Sequence, residues 1–115
     1  MTIKPAHKTV VHMLVDAAKK GPNQEALVCG DERLDYAGYL SAVTGFSREL
    51  INHDLRGTRI AMLMRNSLDY CIAMFAIQMA GAQIVPLNPR YTKNELLELL
   101  EDAAVSALIF DEDNR

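Results

Sequence analysis

Apolar residues along this chain fall into two rhythms, a helical spacing of three to four and short unbroken runs, and the switches between them mark its elements. Val10, Met13, Leu14, Ala17 and Ala18 line one side of a first helix that Thr9 can cap, with His12, Asp16 and Lys19 on the other side. Gly21-Pro22 should end it, the glycine as a left-handed cap and the proline as a residue that cannot continue. Ala26 to Cys29 and Arg33 to Asp35 read as two short strands around Gly30-Asp31-Glu32, a hairpin with glycine where positive φ is needed. Asp35 is placed to cap a helix from Tyr36 to about Asn52, with Tyr36, Leu40, Val43, Leu50 and Ile51 facing the core. Gly38 and Gly45 weaken that helix and leave room for another backbone. Asp54 to Thr58 reads as a turn.

The second half repeats a strand-helix unit. A strand from Arg59 to Met64 leads through Asn66 or Ser67, either of which can cap, into a helix ending at Met79. That helix is apolar on almost every side and should be buried on more than one face. A strand from Gln83 to Leu87 follows. Thr92 and Glu95 then form a capping box for a helix from Lys93 to Ala103, which should bury Leu96, Leu99, Leu100 and Ala103. Ser106 to Phe110 is the last strand and Asp111 to Arg115 a polar end. This order predicts an α/β fold: a three-layer sandwich with a small, mainly parallel sheet, right-handed crossovers, helices on both faces and an N-terminal β-hairpin.

Bulk properties narrow the class. At 115 residues, half hydrophobic, the chain suits a single domain with one core. A net charge of −3 with scattered Lys and Arg argues against a nucleic-acid partner. Cys29 lies in a predicted strand and Cys71 in an apolar helix, so both are expected as buried thiols, which suits a reducing, cytoplasmic setting. Val10 to Val15 is too short and too interrupted for a signal peptide. The run from Tyr70 to Leu87 approaches membrane-spanning length, but Gln78, Gly81, Gln83 and Pro86 break it; a buried helix and strand explain it, and no membrane span is expected. Six methionines, four of them between Met62 and Met79, read as core filler.

Candidate chemistry is sparse. His12 and Asp16, four apart, would make a poor metal site from two ligands and read as a solvated ion pair, so no metal site is expected. His7, His12 and His53 sit in polar surroundings, and no residue is singled out as catalytic. The closest pair of glycines is Gly38 and Gly45, which rules out a Gly-rich phosphate loop. In an open α/β sheet, ligands bind beyond the carboxyl ends of the strands. Two such turns occur here, Met64-Arg65-Asn66-Ser67 and Asn88-Pro89-Arg90-Tyr91-Thr92. In the second, Arg90 and Lys93 add full charges to the positive start of a helix, which suits a phosphate. From charge and position alone, Arg90 reads first as a solvated cation paired with a nearby carboxylate. Asn66 and Ser67 are accounted for as caps, and Pro86, Asn88 and Pro89 as turn-setting residues.

The wording of these turns carries a resemblance. Leu34-Asp35-Tyr36, Arg65-Asn66-Ser67, the helix running into Ala80-Gly81-Ala82, Val85-Pro86-Leu87-Asn88-Pro89-Arg90-Tyr91-Thr92 and Glu95-Leu96 together resemble the N-terminal region of AMP-forming acyl-CoA synthetases, members of the adenylate-forming superfamily. The likeness runs from about Thr9 to Phe110; one departure is Gly38, where such ligases often carry an acidic residue. It implies that residues 1–115 are the N-terminal part of a larger AMP-binding ligase domain acting on a fatty or aryl acid with ATP, Mg2+ and CoA. It also implies that Arg90, directly after Asn-Pro, contacts the CoA nucleotide phosphate. The Ser/Thr/Gly-rich loop ending in Lys that holds ATP phosphates in such ligases has no counterpart here, nor do their acyl-binding motifs and catalytic lysine. On that reading the chain binds no cofactor of its own and is inactive alone. Its partners are the remainder of the ligase and, through exposed apolar surface, other copies of itself.

Two other classes compete with this reading. A free-standing α/β binding or regulatory module, such as a receiver domain, would need paired acids after its first strand, whereas Asp31 and Glu32 lie in a hairpin. An interaction module would pair through the surface that the rest of a ligase normally covers.

Overall fold

The computed structural model describes residues 10–111. Thr9 as a cap, His7, and the polar end from Glu112 onward lie outside the described residues. Among the described residues nine elements follow in order: α1 (Val10–Lys20), β1 (Glu25–Cys29), β2 (Glu32–Asp35), α2 (Tyr36–Asn52), β3 (Arg59–Leu63), α3 (Leu68–Met79), β4 (Gln83–Pro86), α4 (Lys93–Asp102) and β5 (Ala107–Phe110). β1 and β2 form a separate antiparallel hairpin, turned by Gly30 at a φ of 60°. The other three strands form a parallel sheet in the order β4-β3-β5, with Ala61 paired to Val85 on one side and to Leu108 on the other.

This strand order explains why helices cover both faces. The first crossover steps from β3 to β4; the second steps back past β3 to β5. Crossovers of a single hand then place α3 and α4 on opposite sides of the sheet. The side chains of β3 divide accordingly. Ile60, Met62 and Met64 pack with Leu14 of α1, Val43 and Leu50 of α2, and Ala76 and Ile77 of α3. Ala61 and Leu63 pack on the other face with Leu87, Val85, Leu96, Leu100 and Val105. Ile60, Ala61 and Met62 are wholly inaccessible, as are Val43 and Ile77 in the thicker layer. Tyr39 is the fully buried tyrosine of α2, and Tyr36, expected on the core face, packs half-buried against the same core. Tyr39 stacks edge-on against Phe75, with centroids 5.6 Å apart, and donates a hydrogen bond to the Cys71 carbonyl at 2.9 Å.

Helix starts follow the caps read from the sequence. Asp35, Ser67 and Thr92 each accept a backbone N–H three residues on: Gly38, Tyr70 and Glu95. Helix ends share a pattern that the sequence does not announce. In α2, α3 and α4 the residue after the C-cap turns left-handed, at Asp54 (φ 58°), Gly81 (79°) and Ala104 (51°). Each closes the same pair of bonds onto the last carbonyls: Asp54 and Leu55 to Ile51 and Leu50, Gly81 and Ala82 to Gln78 and Ile77, Ala104 and Val105 to Glu101 and Leu100. Just past these ends, Leu55 and Ala82 pack against the first core layer, and Val105 joins Leu100 against the second.

Several expectations need correction. Gly21 is not left-handed; among the described glycines only Gly30, Gly57 and Gly81 are. Its lack of a side chain matters for space, because a Cβ there would lie 2.7 Å from the Gln24 side chain. No backbone approaches Gly38 or Gly45: a Cβ on Gly38 would meet the capping Asp35 carboxylate and Leu34, and around Gly45 there is open space. Met13, Ile51 and Leu99 are exposed, since each helix turns a narrower stripe inward than its apolar composition suggests. In α3 that stripe is Ala73, Ala76 and Ile77, the other apolar side chains being only half-buried. Cys29 is exposed and Cys71 half-buried, because the hairpin touches the core chiefly through Ala26 and Leu27. Among the described residues no helix is long and apolar enough to cross a membrane.

Two substitutions test this packing. Ile77→Ala should lower unfolding free energy in urea by roughly 2–5 kcal/mol, because it empties space between α3 and β3. Ala104→Gly should raise it by up to about 1 kcal/mol, since glycine adopts the left-handed turn without a Cβ penalty.

Candidate functional site

Both strand-to-helix turns of the parallel sheet open on its carboxyl edge, and each is fixed by its own side chains. After β3, Ser67 accepts the Tyr70 N–H at 3.1 Å and so sets the start of α3. The preceding Arg65 donates its backbone N–H to the Asp111 carboxylate at 2.9 Å. That bond ties the end of β3 to the residue just beyond β5, across 46 positions of sequence. By sequence Asp111 is only the start of a polar end; parallel pairing of β3 with β5 is the signal that points to its role.

After β4 the chain bends sharply. Leu87 still donates to the Met62 carbonyl at 2.8 Å, extending the ladder one residue beyond Pro86. Asn88 then organises the turn: its side-chain oxygen accepts the Arg90 N–H at 2.9 Å and its carbonyl accepts the Tyr91 N–H at 3.1 Å. Thr92 closes the approach to α4 by accepting the Glu95 N–H at 3.2 Å while donating its hydroxyl to the Glu95 carboxylate at 3.1 Å. Arg90 thus stands on an exposed, hydrogen-bonded turn at the carboxyl end of β4, three residues before Lys93. The positive start of α4 carries these two cations and also the Glu95 carboxylate in its first turn.

Other candidate residues lie elsewhere. Asp16 pairs with Lys20 at 3.3 Å, one helical turn along α1. His53 is the C-cap of α2, its backbone N–H bonded to the Glu49 and Ile51 carbonyls. Among the described residues no three of His, Cys, Asp or Glu gather as metal ligands would. A groove of about 600 Å³ runs between α1 and α2, lined by Val15, Lys19, Leu40, Ser41, Thr44 and Arg48, in the helical layer and not at the carboxyl edge. The edge therefore supplies turns shaped by their own side chains, with Arg90 and Lys93 as cations at the second.

Comparison with known proteins agrees with this geometry. A family model described as AMP-binding enzyme matches residues 14–115. A medium/long-chain-fatty-acid–CoA/3-oxocholest-4-en-26-oate–CoA ligase of Mycobacterium marinum is 33% identical over 91 residues, covering 78% of this chain and 16% of that protein. A linear gramicidin synthase of Brevibacillus parabrevis is 32% identical over 106 residues, covering 91% of this chain and 1% of that one. Among solved structures, the o-succinylbenzoate CoA synthetase MenE of Bacillus subtilis, in complex with the acyl-adenylate intermediate OSB-AMP, aligns with a TM-score of 0.84 at 26% identity. That alignment covers 89% of this chain and 27% of the synthetase chain. The chain thus spans only a small part of the length of the relatives it matches. With a match over nearly its whole length, the chain belongs to the family of AMP-binding, adenylate-forming enzymes.

Proposed function

We propose that this chain is the N-terminal part of an AMP-forming acyl-CoA synthetase. The whole enzyme would join a carboxylic acid to ATP as an acyl-adenylate, releasing diphosphate, and then pass the acyl group to the CoA thiol, releasing AMP. The observation that carries this reading is the family match over residues 14–115, and the CoA ligases among the relatives support the choice of thiol. Within the enzyme these residues serve as scaffold. They hold two N-capped helices and their turns at the carboxyl edge of a parallel sheet, while ATP, Mg2+ and the acid are held by other segments.

Arg90 is the one contact assigned to these residues, a charge-assisted hydrogen bond to a phosphate of the CoA nucleotide. Asn88 supports it by fixing the turn through the Arg90 N–H. A second reading takes its support from the gramicidin synthase match: the same adenylation chemistry, with the acyl group passed to a carrier-protein thiol in place of CoA.

The decisive assay uses the longer protein that contains this segment. Acid-dependent exchange of diphosphate into ATP followed by acyl-CoA formation is expected, whereas transfer to a carrier protein with none to CoA would establish the second reading. Arg90→Ala in that protein should raise the KM for CoA by roughly tenfold, the loss of about 1.4 kcal/mol of charge-assisted bonding, and leave adenylate formation unchanged. An unaltered CoA KM would remove Arg90 from the site. Calorimetry on residues 1–115 with ATP, CoA and a fatty acid should give no heat of ATP binding; saturable ATP binding would place the nucleotide site within this segment.

A further inference from the structure

Two cysteines line one small cavity where the hairpin lies against the start of α3. Cys29 ends β1, just before the Gly30 turn, and Cys71 lies in the opening turns of α3. With Leu27, Ser67 and Leu68 among their neighbours, both line a cavity of about 180 Å³. β1 packs directly on α3, so the cavity joins two elements far apart in sequence. The two cysteines differ in access. Cys29 is exposed and Cys71 half-buried, and both are free thiols. Cys71 is also the better anchored, because its carbonyl accepts the Tyr39 hydroxyl at 2.9 Å and Tyr39 is itself held inside the core. Burial pushes the Cys71 thiol up, and the nearby Cys29 pushes it further. The Tyr39 phenol is likewise pushed up, first by burial and then by Cys71, which keeps it protonated as the donor in that anchor.

We propose that Cys29 and Cys71 form a redox-sensitive pair, in which a hydroperoxide oxidises the exposed Cys29 and Cys71 then closes a disulfide between the hairpin and α3. The Cys29 thiolate attacks a peroxide oxygen, the O–O bond breaks, and with one proton taken up a sulfenic acid and water result. The Cys71 thiolate then attacks the Cys29 sulfur; the S–S bond forms, the S–O bond breaks, and hydroxide leaves to take a proton. In sum, two thiols and hydrogen peroxide give a disulfide and two waters, with the peroxide reduced. The bond would pin the hairpin beside the Asn66-Ser67 turn that starts α3. Because Cys71 is held as a thiol at neutral pH, the closing step should quicken as the pH rises.

The pair does not depend on the ligase reading, and the test needs no enzyme activity. Residues 1–115 are treated with hydrogen peroxide, quenched by alkylation, and mapped by mass spectrometry beside Cys29→Ser and Cys71→Ser. The expected product is a monomer cross-linked between Cys29 and Cys71, absent from both variants and reversed by dithiothreitol. Its Tm should exceed that of the reduced chain by roughly 10 °C, since the bond closes a long loop in the unfolded state. Products confined to Cys29 sulfinic acid or to dimers linked through Cys29 would overturn the proposal. So would cross-linking no faster in the native chain than in urea.

Discussion

A strand hydrogen-bonded along both edges, with alternate side chains on opposite faces, can be dry only if something covers each face, and β3 is in that position. Ile60 and Met62 need one layer, Ala61 and Leu63 another, and the rest of the chain is arranged to supply both. The layers are unequal. Three helices cover the first face, and they bury Leu14, Val43, Leu50, Ala76 and Ile77. Among the described residues the second face has α4 alone, none of whose residues is fully buried. Ala61 is the small residue at the centre of that thinner side, with Leu63 and Leu87 carrying most of the buried volume beside it.

The same strand links packing to the carboxyl edge. Its exit, through Arg65 to Ser67, is fixed on one side by the cap of α3 and on the other by Asp111 beyond β5. Its partner β4 exits through a turn that Asn88 shapes with its own side chain. Both helix starts are therefore held by local hydrogen bonds and need no ligand to take shape. At this edge each turn is already shaped by its own side-chain bonds, which leaves it less freedom to lose. Within these residues it offers cations and helix starts at separate turns.

The order of elements was legible because it rests on local chemistry. Asp35, Ser67 and Thr92 are short polar side chains standing immediately before apolar helices, and each became the cap it resembled. The inward face of each helix was less legible. Met13 to Ala18 and Leu96 to Ala103 have more apolar positions than their neighbours can cover, and only the three-dimensional arrangement leaves Met13 and Leu99 outside. Ala104 gives no sign of a left-handed backbone, since alanine does not favour one; the closing bonds of α4 impose it. At the candidate site, the Asn-Pro pair announced the turn that carries Arg90. The Arg65–Asp111 clasp joins residues 46 apart and depends on strand order, which no local pattern encodes.

The alternation along β5 has a consequence for how the sheet could grow. Ala107 and Ile109 turn towards the three-helix layer, whereas Leu108 and Phe110, level with Ala61 and Leu63, stand half-uncovered on the side of α4. Any strand joined outside β5 by another crossover of the same hand would continue the step that led from β4 to β5. Its connecting helix would then descend alongside α4, and Leu108 and Phe110 would form the floor on which it lands.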